Sequence, residues 1–189
     1  EVLEIAGPDP LDVALLDTAI RHTIAETDTM RLRFAETPEG PRQQITDHEP
    51  DLRPLVDLRG EPDPIAAAHR LVAAERERSA TYCRAMVDRQ LYTYTLLRLT
   101  DTEVWCIQLY HHLIIDGYSA AMVSRRVAAH YTALRRDAEV PRLRWGSIET
   151  LVAEDLEYRA SRAHQHDRDY WRDRLTPLPP LDGRGRAPE

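Results

Sequence analysis

The chain has 189 residues, 42% of them hydrophobic, a formal net charge of −7 and two cysteines, Cys83 and Cys106. That is enough apolar material for one large domain or one lobe of a bigger one, and it excludes global disorder. The acidic balance argues against nucleic acid as main partner, two cysteines make neither a disulfide framework nor a zinc pattern, and no apolar run approaches membrane-spanning length. With no signal peptide, this fits a reducing cytoplasm. The chain opens on Glu1, not Met, directly in strand-like sequence, so residues are expected to precede it.

Val2 to Ala6 reads as a strand closed by Gly7-Pro8-Asp9-Pro10. Leu11, Leu15, Leu16, Ala19, Ile20 and Ile24 recur at helical spacing, with Asp9 as the expected cap. Met30 to Phe34 alternates, which predicts a strand with Met30, Leu32 and Phe34 on one face and Arg31 and Arg33 on the other. Pro38 to Pro41 is a turn, and Arg42 to Thr46 the returning strand. Residues 47–62 form a Pro- and Asp-rich connection holding one apolar patch, Leu55 to Leu58. Pro64 to Arg78 reads as a helix with Pro in its first turn. Cys83 to Val87 fits no single element. Leu91 to Leu99 and Val104 to Tyr110 make a hairpin turned at Asp101-Thr102. Ala120 to Arg135 is a helix whose apolar face holds Ala121, Val123, Val127, Ala128, Tyr131 and Leu134, with a basic last turn that suits the helix dipole. One long helix is expected from Ser147 to Leu175, with Leu151, Leu156, Tyr158, Tyr170 and Trp171 as buried positions and its many charges on a solvated face. Thr176 to Glu189 is Pro- and Gly-rich and reads as a linker.

The stretch Tyr110-His111-His112-Leu113-Ile114-Ile115-Asp116-Gly117-Tyr118-Ser119 joins the hairpin to the helix after it. Polar titratable groups therefore sit at a strand-loop-helix junction. If the strand runs through both histidines, they point to opposite faces, one inward and one to a cleft. An imidazole there can take a proton from a nucleophile. Gly117 allows a tight turn, and the amides that follow can stabilise an oxyanion. The plainer reading makes both histidines structural and Asp116 a helix N-cap. A metal site finds little support, because no Cys or further His falls at ligand spacing. There are no repeats, no phosphate-binding Gly-rich loop and no Gly-x-Ser-x-Gly elbow.

His111-His112-x-x-x-Asp116-Gly117 resembles the HHxxxDG core of nonribosomal peptide synthetase condensation domains. Ile20 to Phe34 (IRHTIAETDTMRLRF) is similar to the family's helix-strand segment ending in RHxxLRTxF, although Glu26-Thr27-Asp28 replaces its basic-His-acidic triplet. Tyr92 to Tyr110 resembles the hairpin that feeds the active site. Asp167 to Trp171 resembles the helix end that closes the family's N-terminal lobe. DTMRLRF with DGYS looks most like siderophore synthetases of the enterobactin type. The resemblance covers Glu1 to about Leu175.

The resemblance implies an α+β fold: a chloramphenicol-acetyltransferase-like lobe, a two-layer α/β sandwich with a mixed, mainly antiparallel sheet packed with helices. Residues 1–175 would be the N-terminal lobe and 176–189 the linker toward a missing C-terminal lobe, with the active site in the tunnel between lobes. The implied reaction is amide formation between a carrier-bound thioester donor and a carrier-bound amino-acid acceptor. His112 would be the catalytic residue and His111 structural. Asp116 would pair with Arg31, or with its neighbour Arg33, to brace the loop. Gly117 would leave room for the thioester and its pantetheine arm. Ser119 and Tyr118 are candidate substrate contacts, though Ser119 first reads as a helix cap. No directly bound cofactor or metal is implied, since phosphopantetheine arms of peptidyl or aryl carrier domains deliver the substrates. Further implied partners are the second lobe and an adenylation domain; neither nucleic acid nor membrane is expected. A lone lobe would expose an apolar interface that could drive homodimerisation. Alternatives are an ester-forming acyltransferase or an epimerisation domain of the same fold, and a non-catalytic docking module. Epimerisation domains usually carry a Trp soon after DGxS, where this chain has Ala120-Ala121-Met122.

Overall fold

The computed structural model describes residues 1–82, 86–142 and 145–176. The tail after Thr176, and Cys83 to Ala85 of the stretch that fitted no element, lie outside the described residues. The chain forms two compact units, Glu1–Leu143 and Arg144–Glu189.

The first unit is built on a four-stranded sheet. β1 (Val2–Ala6), β4 (Val56–Asp57), β5 (Tyr92–Arg98) and β6 (Glu103–Tyr110) lie in the order β1-β6-β5-β4. β1, β6 and β5 are antiparallel, and β4 adds to β5 in parallel. The mixed, mainly antiparallel sheet is as expected. Strand alternation sorts its side chains onto two faces. Trp105 and Ile107 join Leu97, Leu99 and Leu58 against Ala67 and Ala68 of α2 (Pro64–Tyr82). Cys106 and Gln108 face the other way. There, with Leu3 and Ile5, they line an apolar cavity of about 190 Å³ with Leu16 and Ile20 of α1 (Val13–Glu26) and Val127 of α3 (Gly117–Arg136). Burial on both faces explains why β6 carries the unbroken apolar run Val104 to Ile107.

Local chemistry sets the element ends. Asp12, not Asp9, caps α1: its carboxylate accepts from the amides of Ala14 and Leu15, both at 3.0 Å. The predicted strand at Met30 starts later. Asp28–Arg31 is a 3-10 turn, and β2 begins at Leu32 (Leu32–Thr37), pairing with β3 (Gly40–Ile45). Arg31 therefore does not share a strand face with Arg33. Gly40 takes φ +105° in the hairpin turn, a conformation that favours glycine.

α3 begins at Gly117 rather than Ala120, and its buried face is partly charged. Ala121 and Ala128 are exposed, whereas Arg126 and His130 are buried. The cause is Glu26 at the end of α1. Arg126 grips its carboxylate through Nε at 2.7 Å and Nη2 at 3.0 Å, and His130 Nε2 lies 3.1 Å from Glu26 Oε2. Arg126 also donates to the carbonyl of Pro141. His22 stands edge-on to His130 at 5.4 Å. Burial pushes the Glu26 carboxyl up, but hydrogen bonds from Arg126 and His130 outweigh it and leave it below its ordinary 4.5. A folded value below the unfolded one stabilises the fold above pH 4.5, and that contribution is lost as pH falls through the folded value. Urea midpoints of wild type and Glu26→Gln should therefore differ constantly near neutrality and converge at acid pH. A gap that stays constant as pH falls well below the ordinary carboxylate range would contradict this.

The second unit holds α4 (Ile148–Ala160) and α5 (Arg162–Leu175), where one long helix was expected. Ser161 breaks it: its backbone is extended, and its hydroxyl caps α5 by accepting from the amide of His164 at 3.2 Å. Leu151, Leu156, Tyr158, Tyr170 and Trp171, expected to be buried, are 42% to 61% exposed. Among the described residues no helix is long and apolar enough to cross a membrane.

Candidate active site

β6 delivers the candidate residues and α3 receives them. The strand ends at Tyr110, so both histidines lie beyond it, and His111 opens a turn in which its carbonyl accepts from the amide of Ile114 at 3.1 Å. Strand alternation thus does not separate the pair; the turn does. His111 is half-buried and engaged through its backbone and one ring nitrogen. Its amide donates to the carbonyl of Leu91 at 2.9 Å, and its Nδ1 accepts from the amide of Leu113 at 3.0 Å. His112 is exposed, and its ring makes no hydrogen bond with another described residue. Ile114 and Ile115, both buried, root the turn in the core. Leu113 and Tyr118 flank His112 in sequence and are 49% and 76% exposed.

Asp116 caps α3. Its Oδ1 accepts from the Ser119 amide at 2.8 Å and from the Ser119 hydroxyl at 2.6 Å. Those bonds, the side-chain one first, hold its carboxyl below the ordinary carboxylate range. Ser119 accordingly serves the cap, and its amide is not available to an oxyanion. Gly117 does not take a left-handed conformation, so the turn does not require glycine for its backbone. A Cβ at Gly117 would meet no atom within 4 Å. Asp116→Ala should fray the first turn of α3 and lower the Tm by about 2–4 °C, while Asp116→Asn, which keeps an acceptor, should lose less. Equal losses in the two variants, read by thermal melts, would contradict the cap.

The expected ion pair between Arg31 and Asp116 does not form. Arg31 sits in the 3-10 turn and pairs with Asp28 of that turn at 2.9 Å and with Asp47, past β3, at 2.7 Å. Arg33 is buried, donates to the Leu32 carbonyl at 3.0 Å, and pairs with no carboxylate among the described residues. His111, His112, Asp116, Gly117, Tyr118 and Ser119 thus share one loop and helix start, and Arg31 stands apart in its own ion pairs. Among the described residues no group of three or more His, Cys, Asp or Glu is placed to hold a metal ion.

Sequence reading missed the polar contacts beneath this loop. Tyr94 and Tyr110 hydroxyls lie 2.5 Å apart, and the Tyr110 hydroxyl donates to Gln108 Oε1 at 3.1 Å. Ser124 of α3 donates to the same oxygen at 3.3 Å. The only signal in the sequence was a Gln on the apolar side of an alternating strand.

A family model described as a condensation domain matches residues 2–182. The dimodular nonribosomal peptide synthase of Bacillus subtilis is 32% identical over 95% of this chain, and the match spans 7% of that protein. Enterobactin synthase component F of Escherichia coli O157:H7 is 31% identical over 98% of this chain and 14% of its own length. The starter condensation domain of rhizomide synthetase superposes with a TM-score of 0.79 and 30% identity, covering 92% of this chain and 41% of that one. The chain therefore spans a small fraction of its curated relatives and under half of a solved condensation domain. The mixed α/β lobe described above is the chloramphenicol-acetyltransferase-like fold that the motif implied. With the family match and the histidine loop in agreement, the chain belongs to the condensation domains of nonribosomal peptide synthetases.

Proposed function

We propose that this chain is the N-terminal lobe of a condensation domain that joins two carrier-bound substrates through an amide bond. The observation that carries the reading is His112: an exposed imidazole with no partner among the described residues, on a loop pinned at both ends. The donor is an acyl or aminoacyl group held as a thioester on a phosphopantetheine arm. The acceptor is an amino acid on a second carrier domain. The acceptor amine attacks the thioester carbonyl carbon; the C–N bond forms, the C–S bond breaks, and the pantetheine thiol leaves with a proton. His112 hydrogen-bonds the amine, receives its proton and passes it to the departing thiolate. Holding two tethered reactants together supplies much of the acceleration. The open space at Gly117 supports an approach route for the thioester arm.

Residues 1–175 make up the lobe, and 176–189 lead to a second lobe that covers Leu113 and Tyr118 and supplies the facing wall. Carrier and adenylation domains of the same synthetase deliver the substrates. In the condensation domain with both lobes and both loaded carriers, the product freed from the acceptor carrier should keep its donor–acceptor bond in mild alkali. Cleavage of that freed product into donor acid and acceptor would show ester formation instead.

A further inference from the structure

We propose that Gln108 is a positioning residue for the His112 loop, tying the strand that delivers the loop to the helix that receives it; this rests on the condensation reading above.

Gln108 lies on β6 just before the two histidines and is 2% exposed. Its side chain points toward α1 and α3, into a layer that is mainly apolar. A buried amide costs stability unless its polar atoms are paired, and a leucine of similar volume would pack there without that cost. The amide oxygen is doubly engaged, by Tyr110 at 3.1 Å and Ser124 at 3.3 Å. Among the described residues the amide nitrogen meets only Cys106 Sγ, at 3.9 Å.

The two donors stand on opposite sides of the loop. Tyr110 is the last residue of β6 and adjoins His111. Ser124 is in α3, the helix whose first turn carries Gly117, Tyr118 and Ser119. One oxygen thus fixes the spacing between the root of the loop and its far anchor. Tyr94, 1% exposed, extends the seam by bonding the Tyr110 hydroxyl at 2.5 Å. Burial pushes both phenols up, so they stay protonated at neutral pH. A chain of donors that does not titrate near neutrality makes a fixed spacer, not a switch.

The test uses the complete condensation domain with loaded carriers and compares wild type, Gln108→Leu and Gln108→Glu. Gln108→Leu removes the shared acceptor at similar volume. Its single-turnover rate should fall about 10- to 100-fold, the scale of a small misplacement, with the concentration of loaded carrier needed for half-maximal rate changed by less than about twofold. Gln108→Glu should recover activity at mildly acid pH, where the buried carboxyl is protonated and keeps a carbonyl acceptor, and lose it as pH rises. Hydrogen exchange gives a readout independent of turnover. Amides of residues 111–119 should exchange faster in Gln108→Leu while those of β5 stay as in wild type. If Gln108→Leu does not fold, Ser124→Ala and Tyr110→Phe each delete one donor and should show the same pattern more weakly. Unchanged rate and unchanged exchange would overturn the proposal while leaving the condensation reading in place. A wild-type domain that forms no amide would overturn that reading, and the exchange comparison would still decide the role of Gln108.

Discussion

His112→Ala should lower the single-turnover rate of amide formation by about 100- to 10,000-fold, the range of a positioned acid–base group. The fold should be unaffected, because the His112 ring is exposed and no described residue depends on it. His111→Ala should behave differently. It removes the acceptor for the Leu113 amide and loosens the turn itself, so its loss of rate should come with faster exchange in the loop. Circular dichroism and thermal melts separate the two cases. A His112→Ala domain that condenses at the wild-type rate would remove the imidazole from the chemistry and leave tethering alone to account for it.

Arg126→Ala should destabilise the domain by about 2–3 kcal/mol, the second large effect. Removing one member of a buried ion pair costs more because the other is left uncompensated. The expected figure is at the low end because the Glu26 side chain is 34% exposed and water can partly replace the guanidinium. Arg126 also carries the bond to Pro141, and its two-pronged grip on Glu26 sets the approach of α1 to α3. Lysine supplies only a point charge and should recover less than half of the loss. Urea unfolding of wild type, Arg126→Ala and Glu26→Gln at pH 7, with the double variant, measures the coupling. A coupling below about 0.5 kcal/mol would show the cluster to be ornamental to stability.

Much of the architecture was legible. The β5–β6 hairpin, the β2–β3 hairpin and the first three helices all announce themselves through period and turn residues. The misses have physical causes. Asp12 rather than Asp9 became the cap because only its carboxylate reaches the first amides of α1. The helix over 147–175 broke at Ser161, a residue that competes for backbone donors and favours caps over helix interiors. Charge on the inner face of α3 was invisible, since Arg126 and His130 are buried only by virtue of Glu26, far away in sequence.

The site divides in the same way. The motif brought His111, His112, Asp116 and Gly117 together because they share one short stretch. The bridge from Asp116 to Arg31 needed a long-range side-chain geometry. Here Arg31 finds Asp28 in its own turn and Asp47 just past β3, and Asp116 finds Ser119. Each group found a partner three residues away in sequence. Gln108 was passed over for the opposite reason: Ser124, which donates to it, and Tyr94, which bonds the Tyr110 hydroxyl beside it, come near only once the sheet and α3 have assembled.

The most direct test of amide formation at His112 is intact-mass analysis of the acceptor carrier after mixing both loaded carriers with the complete domain. The acceptor carrier should gain the mass of the donor acyl group, the donor carrier should lose it, and His112→Ala should leave both masses unchanged on the same timescale. Transfer that proceeds equally in the His112→Ala domain, or a wild-type domain that leaves the acceptor carrier unaltered, would contradict the account.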